Sequence, residues 1–209
     1  MSETRTPVLS AICSAFGIAL NGHDCVPFGN GLINQTFLLR NRHGDDHWIL
    51  QQVNTSVFKQ PQLIAYNNYL AAEHLRNHHP EYPFMRGLRT IDGRDLFISP
   101  ELGAWRVFPY FPNTVSYDGA VTTAQARSAA QQFGRLTRNL DGVYVQAFKE
   151  IIPGFHDLEA RYNAFQKAAA QASAERSVRA KEAITFYNGQ ASIVQEYRVA
   201  MMDPKVRTR

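Results

Sequence analysis

The residues of this chain best placed to do chemistry are two glycines and the asparagine between them. Gly29, Asn30 and Gly31 form a corner between two apolar runs, in Val26-Pro-Phe-Gly-Asn-Gly-Leu-Ile-Asn-Gln-Thr-Phe-Leu-Leu39. Asn30-Gly31 supplies the positive-φ residues that a tight hairpin turn needs. Gly29 and Gly31 leave the corner without side chains, so backbone N–H groups can approach the oxygens of a phosphate. A plain hairpin carries the same pattern, and the corner alone leaves both readings open.

Other reactive groups point to less. Cys13 and Cys25 are the two cysteines of the chain, with no CxxC pattern and no His or Cys spacing of a zinc site. They read as buried, reduced thiols, and no metal ligand is assigned.

The elements that must position the corner follow from periodicity. Val8, Leu9, Ile12, Cys13, Phe16 and Leu20 recur on one helical face, which predicts an amphipathic helix over Val8 to Leu20 rather than a signal peptide. The leader Met1 to Thr6 mixes Glu3 with Arg5 instead of carrying a positive run, so the protein is read as cytoplasmic. The hairpin strands are followed by a polar turn containing Gly44-Asp45-Asp46 and a third strand over His47 to Asn54. Pro61 starts a helix that runs to about His79 and stops at Pro80. Phe84 to Thr90, Asp95 to Ser99 and Ala104 to Phe111 read as two or three more strands around the turn Asp92-Gly93. From Thr122 the composition shifts to Ala, Gln, Arg and Glu with helical spacing, in segments near 122–140, 155–172, 174–188 and 190–202. Pro109 to Asp118, with Pro109, Pro112 and Asn113, reads as a stiff connector between a sheet lobe and a helical lobe.

Composition bounds the partners. The chain has 209 residues, 44% hydrophobic and 19% charged, which suits a folded core. No segment approaches the roughly 18 apolar residues of a membrane span. The net charge of +4 comes from scattered Lys and Arg rather than a basic stripe, so nucleotide phosphates suit it better than nucleic acid.

Several blocks, in order, resemble the aminoglycoside phosphotransferase and choline kinase family of protein-kinase-like small-molecule kinases, most of all its N-acetylhexosamine 1-kinase branch. They are Gly29-Asn-Gly-Leu-Ile-Asn-Gln-Thr36, Ile49-Leu-Gln-Gln-Val-Asn54 with Val57-Phe58-Lys59, Trp105-Arg-Val-Phe-Pro-Tyr110 with Asn113-Thr-Val-Ser-Tyr-Asp118, and Phe133-Gly-Arg-Leu136 with Pro153-Gly-Phe-His-Asp157. The resemblance implies an α+β, protein-kinase-like fold: an antiparallel β-sheet N-lobe with one packed helix, followed by a partial helical C-lobe. It divides the chain into an N-terminal helix over 1–21, a nucleotide-binding N-lobe over 22–112, and a hinge exit with the partial substrate lobe over 113–209.

The same resemblance implies ATP with Mg2+ as cofactors and a small-molecule acceptor, a sugar in the branch named. Gly29, Asn30 and Gly31 would cover the phosphates, with Asn34 and Thr36 on the strand leaving the corner. Phe108, Pro109, Tyr110 and Phe111 would form the hinge, its backbone bonding the adenine edge and its apolar side chains flanking the ring. Phe108 and Tyr110 are equally read as core aromatics.

Two departures stand out against the family pattern. The phosphate-gripping lysine of the third strand is replaced by Gln51, which can hydrogen-bond a phosphate oxygen without neutralising its charge. Its usual glutamate partner is also missing: Glu73 lies near the far end of the helix, Tyr66 or Asn67 stands at the expected place, and Lys59 is a nearby substitute or a plain surface lysine. The second departure is the reaction centre, an aspartate, an asparagine five residues later and a metal-holding aspartate. The family's elements before it match up to Asp203-Pro-Lys-Val-Arg-Thr-Arg209, which resembles the approach to the catalytic strand. His156-Asp157 with Asn163 has the wrong spacing for that loop, and Asp157 is expected to cap a helix instead. No catalytic residue is assigned.

The expected function is therefore the N-terminal part of an ATP-dependent sugar 1-kinase, which binds Mg-ATP weakly or not at all and does not turn over by itself. A non-catalytic nucleotide- or partner-binding module of pseudokinase type is the alternative. A kinase portion acting on choline, homoserine or an aminoglycoside keeps the reaction and changes the acceptor. The apolar run Ile193, Val194, Tyr197, Met201 and Met202 would need a cover, here the missing C-terminal portion of the fold.

Overall fold

The computed structural model describes residues 5–44, 47–115, 117, 119 and 122–203. Glu3 of the leader, Asp45, Asp46, Ser116, Asp118 and the tail Pro204 to Arg209 lie outside the described residues. The chain divides into two compact units, Met1–Ile151 and Ile152–Arg209; the lobe boundary expected from the sequence is at 112/113.

The first unit is built on a five-stranded antiparallel sheet. Its strands are β1 (His23–Pro27), β2 (Gln35–Asn41), β3 (Trp48–Val53), β4 (Phe97–Ser99) and β5 (Gly103–Pro109), in the order β1-β2-β3-β5-β4. Alternation along the strands sends side chains to both faces, and each face is covered by a helix.

Helix α1 (Arg5–Ala15) takes one face. Leu9, Ile12, Cys13 and Phe16 pack with Phe37, Leu39, Leu50, Trp105 and Val107 in the main core. The helix is shorter than the apolar pattern. Gly17, at φ +70°, ends it in a Schellman motif, with Ile18 N–H on the Cys13 carbonyl at 2.9 Å and Gly17 N–H on that of Ser14 at 3.0 Å. Ile18 stays in the core although it is no longer helical.

Helix α2 (Pro61–His78) takes the other face. Ala65 and Ile64 meet Val53, Ala104 and Leu96 in a second, smaller cluster. Pro61 at the first turn needs no N–H partner there, and Pro80 follows the end. α2 is the helix expected on the sheet, and the separately expected N-terminal helix, α1, packs on the opposite face.

The expected strand over Phe84 to Thr90 does not form; the segment has no regular secondary structure. Asn68 of α2 explains part of this, since its amide donates to the Met85 carbonyl and accepts from Gly87 N–H. Those backbone groups are thus diverted from a ladder. Leu88 N–H still reaches the Val107 carbonyl at 2.8 Å.

Helix α3 (Thr123–Asn139) completes the first unit, opened by a reciprocal capping box between Thr122 and Gln125. The second unit holds α4 (Leu158–Ala170), α5 (Ala174–Arg179), α6 (Lys181–Asn188) and α7 (Ala191–Met202). Asp157 caps α4 by accepting from Ala160 N–H at 2.9 Å, as expected. The single helix expected over 174–188 is broken at Ala180 (φ −102°, ψ 10°), where the sequence has neither Gly nor Pro.

Candidate functional site

The glycine corner is a longer loop than a tight hairpin. Phe28 N–H bonds the Thr36 carbonyl at 2.9 Å, and the chain then loops from Phe28 to Asn34 before β2 begins. Gly29 alone adopts the left-handed region there, at φ +75°; Asn30 and Gly31 do not. The Asn-Gly turn expected from the sequence is therefore replaced by a loop that pivots on Gly29. A Cβ at Gly29 would meet nothing within 4 Å, and one at Gly31 would be in ordinary contact with the Asn34 carbonyl at 3.6 Å. The corner is open, with Leu32 fully exposed beside it.

Directly beyond the loop, three polar side chains lie in one cross-strand row. Thr36 of β2 pairs with Gln51 of β3, and Gln51 pairs with Arg106 of β5. Strand alternation places them opposite the α1 core, on the side of α2. Gln51 is the centre of the row: its Nε2 donates to Thr36 Oγ1 at 2.9 Å, and its Oε1 accepts from Arg106 Nε at 2.9 Å and Nη2 at 2.6 Å. Asn34 joins from the loop, its Nδ2 3.4 Å from the same oxygen and its Oδ1 accepting from Asn54 N–H at 2.9 Å. Asn34, Thr36 and Gln51, singled out in the sequence, are thus brought together.

Arg106 is the member that the sequence reading missed. It sits partly buried, its guanidinium 5.0 Å from the Phe108 ring, and burial pushes its pKa down from the usual arginine range. A charged residue in the apolar run Ala104 to Phe111 was a visible signal, but its partner depends on strand register, which the sequence does not display.

The connector follows β5. Phe108 is buried, its ring also near Gly87. Pro109 closes the pairing of β5 opposite Trp48, and Tyr110 N–H bonds the His47 carbonyl at 3.1 Å. The Tyr110 ring makes edge contacts with His47 and with Phe28, each at 5.9 Å, which links the connector to the start of the glycine loop. Phe111 is partly exposed, and Asn113 turns the chain at φ 58°.

The candidates for a lysine–glutamate pair are engaged elsewhere. Glu73 pairs with Arg76 at 2.6 Å and Arg86 at 3.0 Å. Asn67 clasps the Lys149 backbone, donating at 2.8 Å and accepting at 3.0 Å. Tyr66 lines a pocket with Leu63, Ile98 and Lys149, and Lys59 is exposed. Among the described residues no three His, Cys, Asp or Glu side chains converge as a metal site would require. None of the helices there is long and apolar enough to cross a membrane.

Residues 24–191 match the sequence profile of the phosphotransferase enzyme family known as APH, and the chain belongs to that family. Its fold is similar to that of the spectinomycin phosphotransferase APH(9)-Ia, solved in complex with ADP and spectinomycin. The TM-score is 0.54 at 9% identity, over 93% of this chain and 56% of that one. This chain therefore spans a little over half the length of that enzyme. The likeness is one of fold, an antiparallel sheet with helices in the kinase-like arrangement.

Proposed function

We propose that this chain carries the nucleotide side of an ATP-dependent small-molecule phosphotransferase. The observation that carries the reading is the side-chain-free corner at Gly29 next to the polar row Thr36, Gln51 and Arg106. An anion near that row would find donors from Asn34, Thr36 and Arg106, while backbone N–H groups of the loop cover it from the other side. The backbone of Pro109 to Phe111 would meet the adenine edge, with Tyr110 and Phe28 as the aromatic flank.

ATP supplies the transferred phosphoryl group, and these residues bind and orient it. The metal set does not fit a protein-held Mg2+ among the described residues, so no step is assigned through it. The acceptor proposed is an N-acetylhexosamine, on the motif blocks between Gly29 and Asp157 that resemble that branch. An aminoglycoside stands second, on the fold shared with the spectinomycin enzyme.

Titration calorimetry of the full 209-residue chain with Mg-ATP tests the nucleotide reading. Weak saturable binding is expected, abolished by Gly29→Val combined with Gly31→Val; no binding at millimolar ATP would sink it. Transfer of label from γ-labelled ATP, with N-acetylhexosamines, choline, homoserine and aminoglycosides as acceptors, tests the substrate on the protein from its native source. The chain by itself is expected to bind without turnover.

A further inference from the structure

Gln51 Oε1 is approached by three donors, Arg106 Nε, Arg106 Nη2 and Asn34 Nδ2, although a carbonyl oxygen has two lone pairs. The row is thus rich in donors and short of acceptors. Arg106 Nη1 has no hydrogen-bond partner among the described residues, and no carboxylate there lies within ion-pair reach of the guanidinium. Asp95, an acid that lines the same small cavity as Arg106, is held by Arg89 at 2.8 Å. A partly buried cation held only by a neutral amide and an aromatic face has its charge left over for an anion.

We infer that Arg106 is the cation of the nucleotide site, gripping a phosphate of ADP or ATP from β5 while Gln51 holds its guanidinium in place. This rests on the nucleotide reading above and adds to it the group that neutralises the phosphate. The arrangement removes the need for a lysine at position 51: the charge has moved one strand over, to the residue paired directly with Gln51. Gln51 is then a positioning residue, and Lys59, exposed, takes no part.

The test is calorimetric titration of the full chain and its variants with ADP and with adenosine, which lacks the phosphates. Arg106→Gln is expected to weaken ADP binding about tenfold or more, the scale of one charge-assisted hydrogen bond, and to change adenosine binding less than about twofold. The double variant Q51K/R106Q returns a cation to the row from β3 and is expected to recover most of the ADP affinity. If R106Q melts below the assay temperature, Arg106→Met, which keeps packing over Phe108, replaces it in both single and double variants. Equal loss for ADP and adenosine, no loss for either, or a loss that the double variant leaves unrescued would overturn the inference, since each means packing rather than charge. Failure of the parent chain to bind ADP at all would instead overturn the nucleotide reading on which it rests.

Discussion

The sheet unit and the helical unit of this chain solve burial in opposite ways. In the first, Leu39, Leu50 and Val107 have no solvent-accessible side, and Ile12 and Cys13 of α1 are equally dry. In the second, no described residue between 152 and 203 is buried. Its side chains meet across a shallow groove lined by Leu158, Tyr162, Phe165, Tyr187 and Ile193, and Phe186, Ile193, Val199 and Met202 stay exposed. Helices as short as α5 and α6 are marginal unless a packed face holds them. An amphipathic pattern therefore writes a helix and its apolar face into the sequence, but not the surface that closes over it.

The sharpest way to break this comparison is to cut one apolar side chain in each unit. Leu50→Ala should lower stability by about 2 to 5 kcal/mol, because a fully buried leucine leaves a cavity at the centre of the sheet. Ile193→Ala, half exposed on α7, should cost about 0.5 kcal/mol or less. Urea unfolding of both variants decides it, and comparable losses would mean that the helical unit has a core of its own.

A pH series separates the units next. Burial, aided by the neighbouring Cys25, pushes the Cys13 thiol from 9.0 up to about 11. The folded state thus keeps a proton that the unfolded chain releases above pH 9. Stability from this group is full below pH 9 and drains away between pH 9 and about 11, on the order of 2 kcal/mol in all. Melting of the sheet unit should fall in that window, and Cys13→Ala should flatten the fall relative to the parent. The second unit has no cysteine and should show no difference between the two proteins.

How far the sequence reached can be judged from the same residues. The α1 stripe, the Pro61 start of α2, the strands around Trp48 and Trp105, and the Asp157 cap were readable because each rests on local spacing. The end of α1 was misplaced because Ile18 and Leu20 extend the apolar pattern beyond Gly17, which fixes the stop through its backbone conformation. Part of the strand over 84–90 was lost to side-chain bonds from Asn68, which comes from another element and takes up the backbone of Met85 and Gly87. In the candidate site, Asn34, Thr36 and Gln51 were visible, but Arg106 was not, since it joins them only through the β3–β5 register.

The glycine loop is where local signal and tertiary setting disagree most, and it can be probed within the sheet unit. Gly29→Val forces a β-branched residue to φ +75° and should cost about 1 to 2 kcal/mol, although the surrounding space is open. Gly31→Val should cost less, because its backbone is not left-handed and its Cβ would be in ordinary contact. Equal penalties in thermal melts would restore the Asn-Gly turn.

The smallest effect sharpens the comparison furthest, because it asks the same question of one cap in each unit. Thr122 and Asp157 each accept from a backbone N–H at the start of a helix, Gln125 N–H at 3.2 Å and Ala160 N–H at 2.9 Å. Replacing either by alanine removes about 1 kcal/mol of helix stability. α3 has Asn139 as its one buried residue, and α4 has none, so neither helix can lean on a core to absorb the loss. Thr122→Ala should appear as faster amide exchange confined to the first turn of α3, with the melt of the sheet unchanged. Asp157→Ala should propagate further, since α4 supplies Tyr162 and Phe165 to the groove that also holds Tyr187 of α6 and Ile193 of α7. Exchange would then quicken across α4, α6 and α7 together. A response limited to the first turn of α4 would show that those helices are held one by one, not as a unit.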